Sequence, residues 1–185
     1  MNELGPEKWQ IIDDKLVFGC SVFNVGCERC THPKDGRSGE FFVLHCPDWV
    51  QVLALTPDGN IVLIRQFRFG TKRISLEIPG GVVEAGEGPV AAAERELLEE
   101  TGFRGENAKV LTTIYPNPAI QDNKLYTVFI ENCRLVSEQA LDKLEEITVL
   151  TIPVHRIWER IRCGEIDHGV ALDALLFLKL KLEDE

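Results

Sequence analysis

The chain has 185 residues and a formal net charge of −10 at pH 7, because 30 Asp and Glu side chains outnumber 20 Lys and Arg. An acidic balance of this kind disfavours nucleic acid as a partner, since binding to a phosphate backbone requires a basic surface. The hydrophobic content of 44% is enough for the core of one domain with a small additional lobe. A small anionic substrate agrees with this composition only where metal ions reverse the local field.

The first 47 residues predict a small antiparallel β-sheet. Three β-like runs, "WQIIDD", "LVFGCSVFNVG" and "EFFVLHC", are accompanied by the loop "THPKDGRSG", which is rich in the turn formers Pro, Gly, Asp and Ser. We expect residues 1–47 to form an N-terminal β-sheet subdomain and residues 48–182 to form the main domain.

The sequence shows no sign of export or of membrane insertion. The start "MNELGPEKWQIIDD" has no basic segment followed by an apolar run, and no apolar stretch approaches the roughly 18 residues of a membrane span. We therefore expect a cytoplasmic protein without a membrane partner, whose six cysteines are free thiols. Cys27 and Cys30 have the spacing of half a zinc site, but the adjacent His45 and Cys46 would point to opposite faces of a strand, which favours ordinary cysteines.

The middle and the end of the chain alternate between strand and helix patterns. The segments "WVQVLALT" and "NIVLIRQFRF" flank a Pro-Asp-Gly turn signal and predict a hairpin, and "ISLEIPG" predicts a short strand before a glycine-rich turn. Later strands are predicted around "KVLTTIY", "KLYTVFI" and "ITVLTIP", and helices at "VHRIWERIRC", ending at Gly164, and at about 168–181. This order indicates an α/β sandwich with a mixed sheet between helices.

One helix is predicted between the two groups of strands, over about residues 89–101. Pro89 suits a first helical turn, and Gly102 is a typical left-handed stop. The apolar side chains recur at helical spacing and form one face, which consists of Val90, Ala93, Leu97 and Thr101.

The same helix places three glutamates, Glu96, Glu99 and Glu100, on a neighbouring stripe about 100° wide. Like charges three or four residues apart cost a helix roughly 0.2–0.5 kcal/mol per pair. Hard cations such as Mg²⁺ or Mn²⁺ take carboxylate oxygens as ligands, together with waters and substrate phosphates, and would relieve this repulsion. A solvated acidic face is the alternative, and the neighbouring residues decide against it.

The surrounding segment "GVVEAGEGPVAAAERELLEETGF" resembles the Nudix box. That motif places glycine, glutamate, Arg-Glu, an aliphatic residue, Glu-Glu, glycine and an apolar residue at fixed spacings. Every fixed position is present, as Gly81, Glu87, Arg95, Glu96, Leu97, Glu99, Glu100, Gly102 and Phe103. The resemblance implies a Nudix hydrolase with the α/β/α sandwich of that family, which cleaves a nucleoside diphosphate linked to another moiety.

The resemblance also implies the metal ligands. Glu96 and Glu100 would be the principal ligands of Mg²⁺ or Mn²⁺, Glu99 a bridging or water-mediated one, and the Gly80 carbonyl a further one. Arg95 and Glu87 would form the ion pair that fixes the loop of the box against its helix. A bound water of lowered pKa would attack phosphorus, and a general base outside the box would take its proton.

Segments on both sides of the box resemble the branch that hydrolyses ADP-ribose and nucleoside diphosphate sugars. "RQFRFG" and "LEIPGG" are similar to an arginine-bearing strand and a glycine turn of that branch, so Arg68 would hold a phosphate or the terminal ribose and Glu77 would lie close to metal or sugar. "YPNPAIQDN" puts Pro118 close to the position of the branch's marker proline, although many members have Ser-Pro-Gly where this chain has Asn117, Pro118 and Ala119.

The catalytic base and the binding site for the nucleobase are also inferred from this resemblance. "DKLEEITV" resembles the acidic loop that supplies the base, which would be Glu145 or Glu146, with Asp142 a weaker candidate. N-terminal sheets of this branch often exchange between the subunits of a homodimer, and Trp9 and Phe23 would stack on the base of the nucleotide-sugar substrate. Aromatic strand residues are more often core residues, which is the alternative for both.

Two further hypotheses remain beside hydrolysis of ADP-ribose or a related nucleotide sugar. The chain would be a nucleoside triphosphate pyrophosphohydrolase if Arg68, Glu77 and Pro118 were misinterpreted. A non-catalytic nucleotide-sugar sensor would explain the same binding residues, but such sensors usually have a DNA-binding domain or an incomplete box, and neither is visible here.

Overall fold

The computed structural model describes residues 5–183, which fold into two compact units. The first unit contains the residues up to Pro47 together with Tyr115–Asn123, and the second contains Asp48–Ile114 and the residues from Lys124 onwards. None of the helices in the described part of the chain has the length and apolar character needed to cross a bilayer.

The first unit is built on a three-stranded antiparallel sheet, as the sequence predicts. Its strands are β1 (Gln10–Gly19), β2 (Asn24–Thr31) and β3 (Ser38–His45), in the order β1-β2-β3. The run "LVFGCSVFNVG" is not one strand: a turn closed by a 3.0 Å hydrogen bond from the Cys20 N–H to the Phe23 carbonyl divides it between β1 and β2. The segment Tyr115–Asn123 joins β3, where the Leu44 N–H donates to the Ile120 carbonyl at 2.7 Å.

The second unit contains two sheets and three helices, and this mixed α/β architecture confirms the predicted fold class. The antiparallel sheet has the order β10-β5-β6, formed by Ile147–Pro153, Asn60–Arg68 and Arg73–Glu77. The mixed sheet has the order β7-β4-β9-β8, formed by Gly80–Val82, Trp49–Ala54, Leu125–Leu135 and Phe103–Ile114, with β4 parallel to β9. The helices are α1 (Pro89–Thr101), α2 (Val154–Arg162) and α3 (Gly169–Glu183).

The predicted hairpin between β4 and β5 is wrong. The turn between them exists, but a single bridge, Leu55 to Ile61, joins the two segments before each enters a different sheet. The reason is burial on both faces: in β4, Val52 and Ala54 pack into the cluster that contains α1, and Leu53 packs into the cluster that contains α2 and α3. A strand covered on both faces takes its partners from distant segments rather than from its nearest neighbour.

Helix α1 has the bounds that its end signals predict. Pro89 occupies its first turn, and Gly102 ends it in the left-handed region at φ 72°, where its N–H donates to the Leu98 carbonyl at 2.8 Å. Ala93 and Leu97 are fully buried against the strands, whereas the stripe that carries Glu96 faces away from this core. The core thus fixes which side of α1 is left for a site.

Replacing Gly102 with alanine tests how tightly the end of α1 is held. A Cβ at Gly102 would lie 2.1 Å from the Ser137 carbonyl oxygen, whereas Gly164, which has a similar φ of 75°, has nothing within 4 Å of its Cβ position. Gly164→Ala is expected to cost about 1 kcal/mol through φ strain alone. Gly102→Ala is expected to cost about 1–3 kcal/mol more because of the overlap. Urea denaturation followed by circular dichroism measures both, and equal losses would contradict the predicted contact.

Candidate active site

A polar cavity of about 480 Å³ in the second unit brings most of the predicted site residues together. Helix α1, strand β7 and the loop before β10 form its walls. The lining residues are Gln66, Arg68, Gly80, Gly81, Val82, Glu84, Arg95, Glu96, Glu99, Glu100, Ala140, Asp142 and Glu145. Because carboxylates dominate this lining, the cavity is suited to a cation or to a ligand that binds together with one.

Glu100 is the most buried of these carboxylates, with 5% of its surface exposed. Burial raises its pKa to about 8, although the Gly80 N–H opposes this by donating to Oε2 at 2.9 Å. A cation bound to such a carboxylate stabilises its ionised form, because the cation replaces the hydration lost on burial. Glu100 is therefore a strong candidate for a metal ligand.

Glu96 lies against the glycine turn between β6 and α1. A Cβ at Gly81 would come within 2.3 Å of the Glu96 Oε1, so the absence of a side chain at Gly81 makes room for this carboxylate. Burial raises the pKa of Glu96 as well, and the adjacent Arg95 opposes that rise. Strand β7 and helix α1 together therefore bring the buried Glu100 and the half-buried Glu96 to one side of the cavity.

Arg95 is the internal counter-ion of the acidic stripe. Its guanidinium donates to Glu87 at 3.1 and 2.9 Å, which is the pair predicted from the sequence, and to the Val82 carbonyl at 3.0 Å. It also donates to Glu96 at 2.8 Å and to Glu99 at 3.1 Å. The sequence analysis missed these last contacts, although the i, i+4 spacing of Arg95 and Glu99 is a recognised signal for an ion pair. The glutamates therefore need less relief from an external cation than the sequence suggests.

The carboxylate side chains that line the cavity suit a divalent cation that binds oxygen ligands. Among residues 5–183, only Asp14, Glu28 and His45, in the first unit, bring three ligand atoms within 4.8 Å of one another. In that set Nδ1 of His45 is held by Asp122 at 2.6 Å, a hydrogen bond that raises the histidine pKa. The glutamates of α1 are not in this set, so waters or ligand phosphates would have to complete the shell of a divalent cation bound to them.

Arg68 is bound to Glu77 through two hydrogen bonds, from Nε at 2.9 Å and from Nη2 at 2.5 Å. Glu77 is 1% exposed, and burial raises its pKa, but the Arg68 contacts more than offset this effect and the pKa lies below its usual range. The Arg68 guanidinium is still partly exposed and lines the cavity. His168, which the sequence analysis did not single out, places Nδ1 3.8 Å from the Glu77 Oε2.

The acidic loop before β10 contributes only some of its predicted residues to the cavity. Asp142 and Glu145 line it, and the Asp142 N–H donates to Glu145 Oε2 at 3.1 Å. Glu146 is exposed and is absent from the lining. Glu145 is exposed as well.

Three other predicted residues, Trp9, Phe23 and Pro118, belong to the first unit. The Trp9 ring makes edge-on contacts with the rings of His32 and Phe41, at centroid distances of 5.3 and 5.6 Å. The centroids of the Phe23 and Phe18 rings lie 6.5 Å apart. Pro118 lies in the turn that precedes the contact of Ile120 with β3. The three residues therefore belong to a different compact unit from the carboxylate cavity.

Comparisons with known proteins identify the family to which the chain belongs. The model of the NUDIX domain matches residues 48–173. The ADP-ribose pyrophosphatase of Bacillus subtilis is 30% identical over 171 residues, which is 92% of each chain, and the methanol dehydrogenase activator of Bacillus methanolicus is 27% identical over 98% of this chain and 97% of its own. A crystal structure of an ADP compounds hydrolase has the same fold, with a TM-score of 0.86 over 97% of each chain at 21% identity. The family match over the carboxylate cavity and its scaffold shows that the chain belongs to the NUDIX family of hydrolases.

Proposed function

We propose that the protein hydrolyses the diphosphate bond of ADP-ribose or a related nucleoside diphosphate sugar, giving a nucleoside monophosphate and a sugar phosphate. The buried Glu100, held by the Gly80 N–H in a carboxylate-lined cavity, is the observation that carries this proposal. Relatives named ADP-ribose pyrophosphatase in Bacillus subtilis and Mycobacterium tuberculosis support the choice of substrate.

The residues of the cavity have distinct roles in this reaction. Glu96, Glu99 and Glu100, with the Gly80 carbonyl, would hold Mg²⁺ or Mn²⁺, which when bound neutralises the diphosphate and lowers the pKa of a coordinated water. Glu145 would accept a proton from the attacking water. The oxygen of that water would form a bond to phosphorus while the bond between phosphorus and the bridging oxygen breaks. Arg68 would hold a phosphate, and its two hydrogen bonds to the buried Glu77 would fix the guanidinium.

The first unit would supply the subunit contact. Its sheet and the turn between β1 and β2 expose several large apolar side chains, which supports a homodimer; they are Ile11, Ile12, Leu16, Val17, Phe18, Val22, Phe41 and Phe42. In this proposal residues 1–47 are the N-terminal subdomain and 48–182 the hydrolase domain, and Trp9, Phe23 and Pro118 contact the nucleotide. The six unpaired cysteines are consistent with a cytoplasmic location.

The first experiment measures product release from ADP-ribose, ADP-glucose, GDP-mannose and ATP with Mg²⁺ or Mn²⁺, for the wild type and for Glu100→Gln. We expect nucleotide sugars to be preferred over ATP, and the variant to be at least about 100-fold slower because a ligand charge is lost. Activity confined to ATP would instead identify a triphosphate pyrophosphohydrolase. Tight binding without turnover would identify a sensor.

The buried carboxylate predicts that stability depends on pH and on metal together. The folded-state pKa of Glu100, about 8, lies above the value near 4.3 of an unfolded glutamate. Between these values the folded state binds more protons, so the contribution of Glu100 makes the free energy of unfolding fall as pH rises. Because metal binding requires the carboxylate, Mg²⁺ should raise Tm more at pH 8 than at pH 6. Scanning calorimetry measures this, and an unchanged Mg²⁺ effect in Glu100→Gln would contradict it.

The acidic loop allows a matched pair of variants to test the catalytic base. Glu145→Gln is expected to lower kcat about 10²- to 10⁴-fold, the range for loss of a general base. Glu146→Gln should stay within about twofold of the wild type, because Glu146 does not line the cavity. Equal losses in both variants, or a loss in Glu146→Gln alone, would assign the proton transfer differently.

A further inference from the structure

A second cavity, of about 330 Å³, adjoins the carboxylate cavity within the second unit. Both linings include Arg68 and strand β7, which consists of Gly80–Val82. A group attached to a diphosphate in the first cavity can therefore extend past Arg68 into the second. We call the second one the Gln51 cavity; its other lining residues are Trp49, Val50, Gln51, Ile78, Leu125, His168 and Val170.

Two buried polar atoms in this lining have no hydrogen-bond partner. Gln51 is 6% exposed, and its Oε1 is without a donor; Nδ1 of His168 is likewise buried and unpaired, since Glu77 at 3.8 Å is too far away for a hydrogen bond. In the described part of the chain only four buried side-chain atoms lack a partner, and two of the four belong to this one cavity. Buried polar atoms are rarely left unpaired, so a ligand or a bound water in this cavity would supply a partner for each.

The fold itself gives no reason for a glutamine at this position. Strand β4 is buried on both faces, and Gln51 stands between Val50 and Val52 in an otherwise apolar run. An apolar residue would complete the core without leaving an unpaired oxygen. Packing therefore does not explain the glutamine, whereas a hydrogen bond from Gln51 to a ligand would.

The chemistry of the lining narrows the class of ligand. The apolar walls of the cavity are formed by Trp49, Ile78, Leu125 and Val170. Oε1 of Gln51 can only accept a hydrogen bond, whereas Nδ1 of His168 accepts or donates one according to the tautomer of the imidazole. Burial lowers the pKa of His168, which keeps the imidazole neutral and able to take either role. A hydroxyl group both donates and accepts, so neighbouring hydroxyls on a ring with apolar C–H faces match both groups at once.

We propose that the Gln51 cavity binds the sugar of the nucleoside diphosphate sugar, with Gln51 and His168 recognising its hydroxyl groups and Trp49 covering one face of the ring. This assignment rests on the proposed function, since the sugar reaches the cavity from a diphosphate bound beside Arg68. It makes Gln51 and His168 the residues that distinguish one sugar from another.

The test compares wild type, Gln51→Leu and His168→Leu, with Arg156→Gln on the exposed side of α2 as the control. Each is assayed with ADP-ribose and ADP-glucose, which differ in the sugar, and with ADP-glucose and GDP-glucose, which differ in the base. We expect Gln51→Leu and His168→Leu to raise KM for the preferred sugar about tenfold and to reduce the wild-type discrimination between ribose and glucose. Discrimination between the bases should be the same in all four proteins.

A binding measurement separates this inference from the proposed function. Titration calorimetry with ribose 5-phosphate and glucose 1-phosphate is expected to show about tenfold weaker binding of the preferred sugar phosphate to both leucine variants, whether or not the wild type hydrolyses any nucleotide sugar. If no nucleotide sugar is hydrolysed but this difference appears, the proposed function fails and the sugar site stands. Unchanged affinity and sugar discrimination in two folded leucine variants, or a change confined to the base, would overturn the sugar assignment.

Discussion

The constraint on which the site depends is the placement of three carboxylates on one face of α1, at the wall of a cavity. Arg95 offsets part of their repulsion by contacting Glu96 and Glu99 while it is anchored to Glu87 and to the Val82 carbonyl. Glu100 does not share this guanidinium and is stabilised by a single backbone N–H. Among these three carboxylates, Glu100 is thus the most buried and the one without a hydrogen bond to a guanidinium, so a bound cation would stabilise its ionised form the most.

The scaffold of the second unit is organised around this placement. Glycines at 80 and 81 let the turn after β6 approach both β4 and the carboxylate of Glu96, because any side chain there would overlap with one or the other. The buried face of α1 packs on β4 and β9, so its acidic stripe has one orientation relative to the turn. The same contacts that form the core therefore set the geometry of the ligands.

Arg68 connects the two cavities of the second unit. Its two hydrogen bonds to the buried Glu77 fix the guanidinium where the linings meet, and His168 lies beside the same carboxylate. Loss of Glu77 would leave a partly buried cation without its partner, so this pair is costly to break from either side. A phosphate contact and a sugar contact can thus share one rigid support.

The sequence by itself determined what depends on local signals. Pro89 and Gly102 indicated the ends of α1. The motif that contains Gly81, Glu87, Arg95, Glu96 and Glu100 indicated the family. The spacing of the glutamates predicted the acidic stripe, because a helix brings residues at fixed spacings to one face whatever surrounds it. Only the tertiary structure decided the features that join distant segments. These are the separation of β4 and β5 into two sheets, the contact of Arg95 with the Val82 carbonyl, the presence of Glu145 rather than Glu146 in the cavity lining, and the meeting of Gln51 with His168 in one cavity. Strand partners and cavity linings are set by burial of the whole core, which no short segment encodes alone.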